Sequence, residues 1–226
     1  WANAINMRDT RLKIEPEGNH FRVNGVKSFG TGTVAADLRV IGAVQDGVPF
    51  PITFVLPKDR EGVVYNDDWK NMGQRRTASG SYTFRNVLVT PDEILGPPPS
   101  PEGAFATFLF VVVQLTKVHV YLGIAEGAFE AAKEYTTTMT RPWITSGVDR
   151  ASKDPFIMHH YGELWMQLKA AICLAEQAAQ QVQTAWDKGE ALTHEERGEV
   201  AIAVYTAKAF ATKAGLDITS RIFEVM

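Results

Sequence analysis

The run Pro97-Pro98-Pro99-Ser100-Pro101 constrains this chain more than any other feature. Each proline lacks the amide hydrogen that a ladder or a helix interior needs, and each pushes the residue before it towards extended backbone. Neither a strand nor a helix continues through such a run, so it predicts a boundary, with a linker over 97–103. The pattern differs in kind on the two sides. Before the run, short alternating segments are separated by Gly, Pro, Asn and Asp; after it, apolar residues recur at three- and four-residue spacing over long stretches. The expected fold class is therefore α+β: a β-barrel or sandwich domain over 1–96, then a helical bundle over 104–226.

Ahead of the proline run, the alternation of Phe21-Arg22-Val23 followed by Asn24-Gly25 and Val26-Lys27-Ser28-Phe29 reads as a hairpin. Further strands are expected over 38–44, 52–56, 62–65 and 81–89, the last with Tyr82 and Phe84 on one face and Arg85 on the other. Beyond the proline run, a first helix is expected from 104 to about 138. Gly123 and Gly127 weaken it, for which close helix packing would compensate. A second runs over 156–188 and carries an apolar stripe from Tyr161 to Val182, with Gly189 at its end. A third starts at Thr193, where Glu196 completes a capping box, and runs to the end of the chain. This gives an up-and-down bundle of at least three helices.

The formal net charge of -3 gives no argument for nucleic acid or an acidic membrane surface. The longest apolar run, 104–113, is too short to span a bilayer. One cysteine, Cys173, lies in an alanine-rich helical pattern and reads as a buried, inert thiol, consistent with a cytoplasmic protein. The chain begins at Trp1 and stops at Met226 inside a helical pattern, as a segment of a longer polypeptide would.

The stretch 66–81 stands apart in chemistry. It combines Trp69, Gly73 and Gly80, the hydroxyls of Thr77, Ser79 and Ser81, and the pair Arg75-Arg76. Flat aromatic surface, close backbone approach and hydroxyl donors suit a planar, polar, anionic cofactor. A surface connection with ordinary turn residues has the same composition. If the segment is extended, Arg75 and Arg76 point to opposite sides and at most one faces a site. Metal binding has little support, because the adjacent His159-His160 rings diverge on a helix. Gly-x-Ser-x-Gly, Walker and dinucleotide glycine motifs do not occur in a fitting setting.

Several motifs in order resemble the acyl-CoA dehydrogenase superfamily. They are Gly25-Val26-Lys27-Ser28-Phe29-Gly30-Thr31-Gly32, the segment from Trp69 to Ser81 with Phe84-Arg85-Asn86-Val87-Leu88-Val89, and the start of the bundle from Val120 to Tyr135. Within it, Ala2-Asn3-Ala4, Asn66-Asp67-Asp68-Trp69, Arg141-Pro142-Trp143, Asp154-Pro155, Trp186-Asp187-Lys188-Gly189 and Phe223-Glu224-Val225 resemble a monooxygenase branch. Its best-known member is the dibenzothiophene-desulfurising monooxygenase.

The resemblance implies a central β-barrel and a C-terminal four-helix bundle, with an N-terminal helical domain absent from this chain, in a homotetramer. It also implies a two-component enzyme that receives reduced FMN (FMNH2) from a separate NADH-dependent flavin reductase. Oxygen would be activated as the flavin C4a-hydroperoxide, and a small hydrophobic, organosulfur substrate oxygenated to sulfoxide or sulfone. By position, the resemblance makes Thr31 and Asn3 catalytic, with Thr31 beside the reactive edge of the flavin and Asn3 lining the oxygen pocket. It makes Phe29 and Trp69 walls for flavin and substrate, Ser79 and Ser81 contacts to the phosphate or ribityl chain, and Arg141 a phosphate ligand. It assigns no metal, nucleic acid or membrane partner.

Two rivals remain. An FAD-dependent acyl-CoA dehydrogenase needs a carboxylate base. Residues 104–125 contain neither Asp nor Glu, although some dehydrogenases carry the base elsewhere. A non-catalytic scaffold of the same fold is the other. His119, on the first bundle helix, reads as a packing or interface residue.

Overall fold

A computed structural model of the protein describes residues 1–96 and 103–226. The expected linker falls almost wholly on residues 97–102, outside the described ones. The chain divides into two compact units, Trp1–Ser100 and Pro101–Met226.

The first unit contains two sheets. One is ordered β1 (Ala2–Ala4), β4 (Leu38–Ala43), β5 (Ile52–Pro57), with β1 parallel to β4 and β4 antiparallel to β5. The other is antiparallel and ordered β2 (Lys13–Glu17), β3 (His20–Lys27), β7 (Tyr82–Val89), β6 (Val63–Tyr65). The sheets touch at a corner, where the Ile14 amide donates to the Val44 carbonyl (3.0 Å) and the Val44 amide to the Leu12 carbonyl (2.9 Å). Their inner faces share one core, including Ile14, Val23, Ile41, Phe54, Leu56, Tyr82, Phe84, Val87 and Val89. The expected barrel is thus not closed: among the described residues β5 and β6 do not pair, and two sheets enclose the core as in a sandwich.

The expected hairpin at Asn24-Gly25 is also corrected. The turn lies earlier, at Gly18-Asn19, where Glu17 pairs with His20 and Gly18 has φ 63°. Asn24 and Gly25 sit inside β3, opposite a bulge. Val23 pairs with Val87 and Gly25 with Phe84, so Arg85 and Asn86 together face Asn24. The Asn24 side chain caps the irregularity by accepting from the Asn86 amide at 2.7 Å. Gly25 is required there. Its φ is 122°, and a Cβ would lie 2.1 Å from the Arg11 carbonyl oxygen.

The second unit has three long helices, α1 (Leu109–Thr138), α2 (Pro155–Lys188) and α3 (His194–Arg221). They pack around one core with inward positions at three- and four-residue steps, such as Leu164, Leu168, Ala171, Ala175, Ala178 and Val182 on α2. Pro155 occupies the first turn of α2, and Asp154 caps it through the Phe156 amide (2.9 Å). The Thr193–Glu196 capping box starts α3 as expected. That helix ends at Arg221 and tightens into a 3-10 turn over Ile222–Glu224.

Two expectations fail here. Cys173 is exposed, because it falls midway between the inward Ala171 and Ala175. Gly123 and Gly127 do not serve close packing inside the unit, since a Cβ at either would meet nothing within 4 Å. By length and composition α1, with its preceding turn, could cross a membrane. Its stripe of Val111, Leu115, Val118, Leu122, Ala125 and Phe129 lies in the unit's core.

Candidate functional site

The candidate site of the first unit is built from two loops that meet. One follows β3 and carries Ser28 to Ala36; the other, residues 66–81, links β6 to β7. Backbone bonds zip them together: Gly30 donates to the Gly80 carbonyl and Gly32 to the Thr77 carbonyl, both at 3.0 Å. The approach demands glycine. A Cβ at Gly30 would lie 2.7 Å from the Tyr82 ring, and one at Gly80 would lie 2.6 Å from Asp68 Oδ1.

A carboxylate fixes each loop in the same way. Asp9 accepts from the Ser28 amide (2.8 Å) and the Ser28 hydroxyl (2.6 Å). Asp68 accepts from the Ser81 amide (2.7 Å) and the Ser81 hydroxyl (2.6 Å). A bidentate Arg11 holds the Asp9 carboxyl well below the usual carboxylate range, with the Ser28 bonds adding to the effect against burial. Asp68 is lowered chiefly by the Ser81 hydroxyl and amide. Lys27 anchors the chain beneath Asp9. It is fully buried, and its ammonium donates to the carbonyls of Asn6 (2.8 Å) and Asp9 (3.0 Å). Desolvation lowers its pKa, against the pull of Asp9.

These anchors bear on Phe29, which adopts φ 60° and is 56% exposed. A large residue with positive φ is strained and persists only where its surroundings dictate it. Here Asp9 holds the residue before it, and the Gly30–Gly80 bond the residue after it. Phe29 meets Trp69 edge-on, with ring centroids 6.2 Å apart and planes at 77°. Trp69 is steadied by its indole N–H, which donates to the Gln74 carbonyl at 2.9 Å.

Next to this aromatic pair, the exposed Thr31 hydroxyl lies 2.8 Å from that of the buried Ser79, which is 2.7 Å from that of Thr77. Beneath them Thr33 donates to the Gly30 carbonyl (2.5 Å) and lies 2.8 Å from the Tyr82 hydroxyl. Buried Arg39 donates to the Thr33 carbonyl (2.9 Å) and stacks over the Tyr82 ring at 5.1 Å.

Phe29, Thr31, Trp69 and Ser79 thus come together. Asn3 is exposed on β1, and a Cβ at Gly32 would come 3.9 Å from the Cβ of neighbouring Ala2, so β1 begins beside the Thr31 turn. The Ser81 hydroxyl is engaged internally: it donates to Asp68 and accepts from the Asn66 side-chain Nδ2 at 2.8 Å. Arg141 is exposed in the loop between α1 and α2 of the second unit. Arg75 and Arg76 lie not in an extended segment but in one 3-10 turn, Arg75–Thr77, flanked by left-handed Gln74 and Ala78. Both arginines are exposed.

The anchoring roles of Asp9, Lys27, Asp68 and Gly80 were missed by sequence reasoning. The groups that Asp9, Lys27 and Asp68 pin are 13 to 21 residues away, and Gly80 meets Gly30 on the other loop, all beyond any local pattern.

Residues 115–226 match the family model described as "Acyl-CoA dehydrogenase, C-terminal domain". Dibenzothiophene monooxygenase of Mycolicibacterium goodii is 47% identical over 235 residues, covering 99% of this chain and 56% of the relative. The chain belongs to the acyl-CoA dehydrogenase superfamily. The probable FMNH2-dependent monooxygenase SfnC of Pseudomonas putida is 40% identical over 226 residues, covering 100% of this chain and 57% of the relative. Among solved structures, methanesulfinate monooxygenase MsuC from Pseudomonas fluorescens superposes with a TM-score of 0.91 at 41% identity, over 100% of this chain and 58% of that one. The chain therefore spans a little over half the length of these relatives.

Proposed function

We propose that this chain is the flavin-facing portion of a two-component, FMNH2-dependent monooxygenase that oxygenates an organosulfur compound. The observation that carries the reading is the glycine-zipped rim. It presents exposed Phe29 beside Trp69 and Thr31 beside Ser79, in a chain whose relatives over its whole length are named monooxygenases. The residues fit a flavin on chemistry. Two aromatic faces suit an isoalloxazine ring, and the zipper at Gly30 and Gly80 leaves no side chain between the loops. In this reading Thr31 lies at the reactive edge of the ring, and Asn3 approaches from β1. Phe29 and Trp69 wall the ring and the substrate. Ser79 and Ser81 border the polar chain, Ser81 through the loop it pins, and Arg141, on the second unit, meets the phosphate of a flavin held by a neighbouring subunit, for which a planar guanidinium is well shaped.

Reduced FMN, when bound, supplies the two electrons that activate oxygen. One oxygen atom goes to the substrate sulfur, the other leaves as water, and a separate NADH-dependent reductase regenerates the reduced flavin. The chain's own residues bind and orient. The aromatic pair excludes water from the ring, and Asp9 and Asp68 hold the loops in place without titrating near neutrality.

We place the enzyme in the cytoplasm as a homotetramer, with the break over 97–103 separating the flavin-facing unit from the bundle. The substrate is hydrophobic and of the dibenzothiophene kind. The test supplies FMN, NADH, a flavin reductase and oxygen to the protein and follows sulfoxide and sulfone from dibenzothiophene, with methanesulfinate in parallel. Product from dibenzothiophene supports the reading. Product from methanesulfinate alone overturns the substrate assignment. Bleaching of bound flavin by an acyl-CoA without oxygen overturns the reaction class.

A further inference from the structure

The three hydroxyls of Thr77, Ser79 and Thr31 form a chain whose hydrogen-bond direction is decided at one end. Thr77 Oγ1 lies 2.8 Å from the Gln74 carbonyl oxygen, which can only accept. Thr77 has one hydroxyl proton, and it goes there. The 2.7 Å contact between Thr77 and Ser79 then takes its proton from Ser79. The 2.8 Å contact between Ser79 and Thr31 takes its proton from Thr31. Thr31, the exposed end of the chain, keeps no proton to offer outward; it presents lone pairs alone. Reversing the chain would set the Thr77 oxygen against the Gln74 carbonyl without a proton between them, at the cost of a lost hydrogen bond. The carbonyl is itself held by the Trp69 indole N–H and the Thr77 amide, so it cannot turn away.

We infer that this chain selects the redox state of the flavin: Thr31 accepts a hydrogen bond from the N5–H of reduced FMN and repels the bare N5 of oxidised FMN. The inference rests on the proposed placement of Thr31 at the reactive edge of the ring. Reduced flavin carries a proton on N5 and oxidised flavin does not, so an acceptor there discriminates between them and a free hydroxyl, which can rotate, does not. A two-component enzyme gains from this, because the same protein must capture the reduced cofactor and release the oxidised one. Thr77, two residues along the chain from Ser79, becomes a positioning residue that acts through Ser79 and Thr31.

The experiment compares the dissociation constants of oxidised FMN and of dithionite-reduced FMN under anaerobic conditions. The proteins are wild type, Thr77→Val, Thr77→Ser and Ser79→Ala. Wild type is expected to bind reduced FMN at least about tenfold more tightly, the worth of one hydrogen bond. Thr77→Val keeps the shape of the side chain but frees the Ser79 proton, which then turns towards Thr31 and lets Thr31 donate outward. The preference falls about tenfold, and the midpoint potential of bound FMN drops by about 30 mV for this two-electron couple. Thr77→Ser keeps both the proton and the preference. Ser79→Ala behaves as Thr77→Val does. An unchanged ratio in Thr77→Val, or equal wild-type affinity for the two redox states, overturns the inference and leaves the flavin site standing. Failure of wild type to bind FMN in either state overturns the proposed function as well.

Discussion

Replacing Lys27 by methionine tests how the aromatic rim is held from below. Methionine matches the four-atom stem of lysine and suits a buried position, so the substitution removes the ammonium with little change in the packing of the stem. Lys27 is fully buried and donates to the Asn6 carbonyl at 2.8 Å and the Asp9 carbonyl at 3.0 Å. Two hydrogen bonds from a charged donor contribute about 3–6 kcal/mol, net of the ordinary exchange with water. Burying an ammonium opposes that gain, and the lowered pKa of Lys27 registers the cost. A net loss of about 2–4 kcal/mol follows. It should act first on the segment carrying Asp9, and through Asp9 on the Ser28 amide that precedes the strained Phe29. Urea unfolding of wild type and Lys27→Met measures the total, and amide exchange at Ser28 reports the local effect. A loss under about 0.5 kcal/mol, the range of an ordinary surface substitution, would refute the reasoning, as would unchanged protection at Ser28.

Gly25→Ala should cost about 2–4 kcal/mol in the same assay, because a Cβ would sit 2.1 Å from the Arg11 carbonyl oxygen at φ 122°. Stability should fall on acidification. Asp9 and Asp68 are lowered in the fold, so the unfolded chain takes up protons first near pH 4, and the stability present above that is lost as pH drops through the folded values. Urea midpoints between pH 7 and pH 3 measure this, and Asp68→Asn should flatten the slope. Phe29→Ala should weaken FMN binding at least about tenfold by removing a ring wall, read by titration of the protein with reduced FMN. Thr193→Ala should cost about 1 kcal/mol, the worth of the cap of α3, as a shift in thermal midpoint.

The helical unit was largely legible in the sequence because its signals are local. Pro155, Gly189 and the Thr193–Glu196 box lie within a few residues of the ends they set. The exposure of Cys173 was not legible, because alanine-rich composition hides which side of α2 faces inward. In the β-unit, Asn24-Gly25 carries the signature of a tight turn, yet the need for glycine arises from the Arg11 backbone, fourteen residues earlier. The rim was found as a composition and through a resemblance. Its division of labour was not, since Ser79 and Ser81 look alike in sequence and differ only in their partners, Thr31 and Thr77 for one, Asp68 and Asn66 for the other.

The bulge at Arg85-Asn86 works as a parity switch in β7. Tyr82 and Phe84 precede it, Val87 and Val89 follow it, and all four face inward although Phe84 and Val87 are an odd number of residues apart. Strand alternation would otherwise send one pair to the core and the other to solvent. Deleting Asn86 would leave Phe84 and Val87 two residues apart, so plain alternation would keep all four inward and the strand would lose its bulge. The half joined to the 66–81 loop carries Tyr82, the ring beneath Gly30 and Thr33, so what such a deletion would change at the rim is the local bend and twist of the strand that leads to it, with its inward face kept.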